Sequence, residues 1–182
     1  RDTLAVPLGP GQPAAFLHAL GERDDFEDLR VFGALLTGLF KVFTRRGVQF
    51  RSGFFGPVER GLRNSGFDVQ FVPADFRRFS HIVRKFHPRI LSVLATPPDE
   101  KGMLSFGLHA GAGVDELFAV SRDPERLLVV EINPRVPRTL GMPPKHPHAI
   151  HVDQVDVLIE SDAPIFELPD HEPDEVERAI AG

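Results

Sequence analysis

Two apolar runs in this chain of 182 residues end in the same way. Ile90–Ala95 breaks into Thr96-Pro97-Pro98-Asp99-Glu100-Lys101-Gly102, and Leu127–Ile132, which carries Glu131, breaks into Asn133-Pro134-Arg135-Val136-Pro137-Arg138-Thr139-Leu140-Gly141. A strand buried on both faces reads as a near-continuous apolar run. When it stops abruptly in prolines, a glycine and a carboxylate or amide, it is delivering polar groups to the edge of a sheet. That edge is where open α/β folds place ligands.

The rest of the chain alternates in the same way. Strands are expected at 3–8, 29–36, 47–55, 67–72, 90–95, 103–108, 127–132 and 155–160. Helices are expected at 14–20, opened by Pro13, at 57–64, stopped by Ser65-Gly66, at 74–85, at 113–121 and from 173 onward, with Glu172 or an earlier polar residue as cap. In the helix over 74–85, Phe76, Phe79, Ile82 and Val83 share one face. Strands separated by helices predict an α/β fold: an open, mostly parallel sheet with helices on both faces. Residues 1–182 are read as one domain, with no internal repeat. The proline-rich piece 142–147 is a rigid surface loop.

Composition narrows the function classes. Hydrophobic residues make up 42% and charged residues 26%, ordinary for a globular protein. No apolar run approaches the roughly 20 residues of a membrane helix. With no Cys, thiolate metal sites and cysteine nucleophiles are excluded within the chain. A net charge of -5 argues against a general nucleic-acid binder. The basic middle, from Lys41 to Arg89, reads as a solvated face with paired charges, or as an anion-facing side. The 16 Phe, with no Trp or Tyr, are expected mostly in the core. The start lacks Met and any signal-peptide layout, so the sequence is expected to begin inside a longer protein, with a cytoplasmic location.

Several local patterns invite chemistry. Gly9-Pro10-Gly11, between a strand and a helix, is either a plain turn or an anion-binding one. The stretch 107–113 has the spacing G-x-x-x-G-x-G, which does not match the dinucleotide fingerprint. His146, His148 and His151, with Asp153, resemble a metal cluster, but a proline–histidine surface loop explains them as well, and no metal is assigned. No Ser-His-Asp triad can be argued from the sequence, and G-x-S-x-G is absent. A carboxylate at a strand end can be a catalytic base, a ligand anchor or a loop clamp. For Asp99, with Gly102 following, the clamp is favoured. Glu131 and Asn133 stay open, and their spacing predicts that they face the same side.

Taken in order, these residues resemble a known family. Thr96-Pro97-Pro98-Asp99 with Gly102, then Gly107, then Glu131-Ile132-Asn133 with Pro137, and then His151-Val152-Asp153 are similar to the N-terminal domain of the acetyl-CoA hydrolase/transferase family. Its members include 4-hydroxybutyrate, butyrate and succinyl-CoA:acetate CoA-transferases. Phe54-Phe55-Gly56-Pro57 with Arg60, and Phe71-Val72-Pro73, resemble two further pieces of the pattern. Thr96 stands where the family has Ser, 107–131 is longer than usual, and 142–148 is unusually rich in proline.

The resemblance implies a two-domain enzyme of acetate metabolism with its active site in the cleft between α/β domains. Its nucleophile, a glutamate of the C-terminal domain, would form a glutamyl-CoA thioester. That domain of the same polypeptide is the expected partner, and no catalytic residue is expected in this chain. Coenzyme A thioester is expected as a substrate, alongside a small carboxylate, with no permanently bound cofactor. Substrate-binding residues are expected in four loops: Gly9 and Gly11; Gly56 and Pro57; Pro97, Pro98, Asp99 and Gly102; and Glu131, Asn133 and Pro137. An acyl-CoA hydrolase of the same family, and a module that binds an acyl or nucleotide ligand without chemistry, remain alternatives. Homo-oligomerisation is left open. An exposed apolar surface is expected where the second half would dock.

Overall fold

The structure is a computed structural model that describes residues 2–73, 75–108 and 111–181. Nine strands appear in chain order: β1 (Asp2–Leu8), β2 (Leu29–Ala34), β3 (Val48–Ser52), β4 (Val69–Phe71), β5 (Ile90–Ala95), β6 (Met103–Ser105), β7 (Leu127–Ile132), β8 (Ala149–His151) and β9 (Val157–Glu160). Seven of them form one sheet in the order β4-β3-β2-β1-β5-β7-β9. Every pairing in it is parallel. The expected open parallel sheet is therefore present.

Among the described residues, five α-helices connect or follow the strands: α1 (Ala14–Glu22), α2 (Pro57–Asn64), α3 (Phe76–Phe86), α4 (Val114–Val120) and α5 (Glu175–Ala181). Side-chain alternation along the strands divides the interior into two cores. In β1, Leu4 and Val6 point to one and Ala5 to the other. The first core packs Leu17 of α1, Leu62 of α2 and the 3-10 turn Lys41–Thr44 on Val31, Val48 and Phe50. The second packs Phe79 and Val83 of α3, and Leu117 and Val120 of α4, on Phe32, Leu91, Val93, Leu128 and Val130. Helices thus cover both faces, and the central strands read as continuous apolar runs because both of their sides are buried.

Local chemistry sets the helix ends. Pro57 opens α2, where its missing N–H costs nothing. Asp75 caps α3, its side chain accepting from Arg78 N–H at 2.9 Å. α3 closes on His87 at φ 50°. Asp174 and Glu177 cap α5 reciprocally, at 2.8 and 2.9 Å.

Three expectations are corrected and one strand is added. The strand expected over 103–108 is only β6, and it lies outside the main sheet, antiparallel to β8. β8 itself was not foreseen, since Ala149–His151 follows a proline–histidine loop without apolar periodicity. The strand expected over 67–72 shrinks to β4, where Gln70 and Phe71 are exposed because β4 is an edge. Phe76 does not join the buried face of α3, being 63% exposed at its first turn.

Charges in the basic middle are largely committed. Lys41 pairs with Glu22, Arg51 with Asp68 and Arg89 with Asp2, while Arg45 lies over the Phe26 ring. Among the described residues no helix is long and apolar enough to cross a membrane.

Candidate functional site

The chain steps from β1 through β2 and β3 to β4, then returns to the other side of β1 and continues through β5 and β7 to β9. The order therefore reverses between β1 and β5. Carboxyl ends of parallel strands on either side of such a reversal open a crevice, the usual ligand position in open α/β sheets. The loops after β1 and β5 flank it. They carry Gly9 and Gly11, and Pro97, Pro98, Asp99 and Gly102.

Buried polar side chains tie the loop after β1 to those after β2 and β3. Gln12, 3% exposed, donates from Nε2 to the carbonyls of Pro7 (3.2 Å), Ala34 (3.0 Å) and Leu35 (3.3 Å). Its Oε1 accepts from the N–H and the hydroxyl of Thr37 at 3.1 and 3.2 Å. Glu59, 0% exposed, accepts from Leu36 N–H (2.8 Å), the Ser52 hydroxyl (3.2 Å) and Gly56 N–H (3.1 Å). Glu59 thus holds the loop after β2 to the end of β3 and to the start of α2, where Gly56 and Pro57 lie.

On the other side of the reversal, Glu131 accepts from Phe16 N–H at 3.0 Å. Phe16 is the third residue of α1, whose N-cap position is Pro13 and makes no side-chain cap bond. A carboxylate from β7 therefore serves as the missing cap and complements the helix dipole. Asn133 serves other neighbours. Its Nδ2 donates to Ala163 O at 2.9 Å, and its Oδ1 accepts from Arg135 N–H at 2.9 Å.

Asp99 is the loop clamp its spacing suggests. Oδ1 accepts from Lys101 N–H and Met103 N–H, both at 2.9 Å, and Oδ2 faces Arg138 at 3.4 Å. These donors, Met103 N–H foremost, hold its carboxyl below the usual carboxylate range. Gly102 takes φ 73°, and a Cβ there would stand 2.6 Å from His151 Nε2. Arg138 reaches back to the same loop, donating to Thr96 Oγ1 (3.0 Å), Pro97 O (2.7 Å) and Met103 O (3.1 Å). Ser105 joins this loop to the strap after β7: its hydroxyl donates to Thr139 O at 2.9 Å and accepts from Thr139 N–H at 3.0 Å. Pro137 is exposed on that strap, with its carbonyl against Gly107.

Two grooves border the strap over 139–148. One, of about 630 Å³, is lined by Asp99, Lys101, Arg138, Leu140 and His148. The other, of about 400 Å³, is lined by Gly107, Asp115, Lys145 and His146. Such volumes suit a small-molecule site. The histidines themselves diverge. His148 packs edge-on to Phe106 at 5.9 Å, while His151 Nδ1 accepts from Asp153 N–H at 3.2 Å. Among the described residues no group of three or more His, Cys, Asp or Glu is placed to hold a metal ion. His109 and Ala110, in the middle of the glycine-rich stretch over 107–113, lie outside the described residues.

Gln12, Glu59, Ser105 and Arg138 were not among the sequence candidates. Glu59 had a readable signal, an acid at the third position of a helix opened by Gly-Pro. Arg138 had none, because its partners lie about 40 residues away in the chain.

No family model matches the sequence. Over 185 aligned positions the chain is 27% identical to the succinyl-CoA:cyclohexane-1-carboxylate CoA transferase of Geobacter metallireducens, covering 100% of this chain and 40% of that protein. It is 26% identical to the 4-hydroxybutyrate coenzyme A transferase of Clostridium kluyveri, over 93% of this chain and 38% of that protein. Among solved structures, RipA from Yersinia pestis superposes on 96% of the chain with a TM-score of 0.79 and 23% identity, over 42% of its own length. A 4-hydroxybutyrate CoA-transferase from Porphyromonas gingivalis superposes on 92% with a TM-score of 0.63 and 20% identity, over 37% of its length. These superpositions establish a shared fold. The chain spans about 40% of the length of the curated relatives it matches. In sequence along nearly its whole length the chain resembles two curated CoA transferases, and it shares the fold of the matching part of a solved 4-hydroxybutyrate CoA-transferase.

Proposed function

We propose that this chain is the N-terminal lobe of a CoA-transferase that moves CoA between an acyl-CoA and a small carboxylate. The observation that carries the reading is the similarity to two CoA transferases over nearly the whole chain but only 40% and 38% of their lengths. The reactive glutamate then belongs to a C-terminal lobe of the same polypeptide. Its carboxylate oxygen bonds to the acyl carbon as the thioester C–S bond breaks, giving a mixed anhydride. The released thiolate attacks the glutamyl carbonyl and expels the first carboxylate. The second carboxylate then attacks the glutamyl thioester and displaces the thiolate, giving a second mixed anhydride. The thiolate attacks its acyl carbon, forming the new acyl-CoA and freeing the glutamate, so one hard exchange becomes several easier ones.

The chain's own carboxylates support this division of labour. Glu59 and Glu131 are buried and bonded to backbone N–H groups, and Asp99 is held by two N–H groups and an arginine. What this edge offers is a wall: the loops at 9–11, 56–57, 97–102 and 131–137, with the grooves beside the strap. Exposed apolar side chains on the same edge, among them Leu39, Phe54, Phe71, Phe76, Leu140 and Met142, fit a surface that a second lobe covers.

The test is exchange between acyl-CoA and labelled acetate, by this chain alone and by this chain joined to its downstream half. No turnover is expected from the chain alone, and exchange is expected from the joined protein. Substantial exchange by the chain alone would overturn the proposal. Release of free CoA without exchange of label would identify a hydrolase instead.

A further inference from the structure

Among the described residues, two that are not glycine have positive φ: His87 at 50° and Leu35 at 48°. His87 closes α3, where a left-handed residue commonly ends a helix. Leu35 ends no helix. It follows β2 at the carboxyl edge, and a bulky side chain in that backbone region is an outlier. Such a conformation persists only where the surroundings over-determine it.

The surroundings here do so. Leu35 N–H donates to Phe54 O at 3.3 Å, and Leu35 O accepts from Gln12 at 3.3 Å. The next two N–H groups go to Glu59 at 2.8 Å and to Gln12 at 3.1 Å. The side chain is driven between two glycine loops. Its Cδ2 lies 3.9 Å from where a Cβ on Gly9 would stand, and its Cδ1 lies 3.1 Å from the corresponding point on Gly56. Glycine would take this backbone freely, whereas leucine takes it under strain. The strain accompanies a wedge that sets the spacing of the loops after β1 and β3.

We infer that Leu35 is a positioning residue whose strained backbone holds its side chain as a wedge between the Gly9 and Gly56 loops, fixing the wall against which acyl-CoA binds. This rests on the CoA-transferase reading above. The experiment compares Leu35→Asn, Leu35→Gly and Leu35→Met in the full-length protein. Asn and Gly relieve the backbone, so their melting temperatures match the parent's or exceed it by up to about 4 °C. Both remove the wedge, so KM for acyl-CoA rises about tenfold while kcat stays within about twofold. Met keeps the wedge, and its KM stays near the parent's. An unchanged KM in Asn and Gly overturns the inference, and so does a fall in melting temperature in both. If the parent shows no acyl-CoA exchange at all, it is the transferase reading that fails. Amide hydrogen exchange at Leu36 and Thr37 then decides the wedge by itself. Protection there falls in Asn and Gly but not in Met if the wedge is real, and unchanged protection overturns it.

Discussion

Asp99 commits both carboxylate oxygens to its own neighbourhood, and this makes it a pH reporter. Backbone N–H bonds, from Met103 first, and the nearby Arg138 lower its pKa in the folded protein. A depressed carboxylate contributes order that is fully present above its unfolded pKa and is lost as pH falls through the folded value. The loop over 96–103 is therefore expected to stay ordered through the ordinary carboxylate range of about 4 and to loosen only below it. NMR titration of the Asp99 side chain, read alongside the Met103 amide, checks this; a midpoint at or above the ordinary value would contradict it. Asp99 was legible as a clamp because its donors lie two and four residues away. Glu131 was not legible, since its donor lies 115 residues away. Asn133 was expected to face with it, yet past the end of β7 it serves its own loop and residue 163 instead.

At the scale of elements, the two edges of the sheet are held differently. Before β7, on the amino edge, Arg126 donates to Glu116 of α4 and, from Nε, to Pro88 O at 2.7 Å. Both side chains are nearly fully buried. Breaking a buried pair by removing one partner leaves the other charge uncompensated. Glu116→Ala is therefore expected to lower unfolding free energy by about 3–5 kcal/mol. Denaturant unfolding measures it, and a loss below about 1 kcal/mol would show that the pair is dispensable. Elements with strong local signals are legible in the sequence. α2 runs between Gly56-Pro57 and Ser65-Gly66 as expected, and the bounds of β5 and β7 match their apolar runs. β6 and β8 are not legible in the sequence, because a three-residue strand is defined by its partner rather than by its own periodicity.

For the whole molecule, the apolar pattern was enough to foresee the parallel sheet, because strands buried on both faces leave no polar alternation to misread. The reversal of strand order between β1 and β5 was not visible, since nothing within a strand names its neighbour. Past Ala163, which Asn133 holds, the chain leaves the body. None of the residues from 161 to 181 is buried, and Leu168, Val176 and Ile180 are strongly exposed. Exposed backbone without packing is where proteases cut. Limited proteolysis of this chain is expected to cut first between residues 164 and 174 and to leave the sheet whole. Mass spectrometry of the products checks this, and a first cut inside the strap over 139–148 would contradict it.

The bond from Glu131 to the start of α1 also bears on how the molecule is made. Synthesis runs from the amino end onward, so the turn at Gly9–Gly11 emerges well before β7. The helix behind that turn receives its cap only after more than a hundred further residues have followed. The ribosome therefore delivers this rim unfinished, and the loop ahead of α1 is completed only once β7 has joined the sheet.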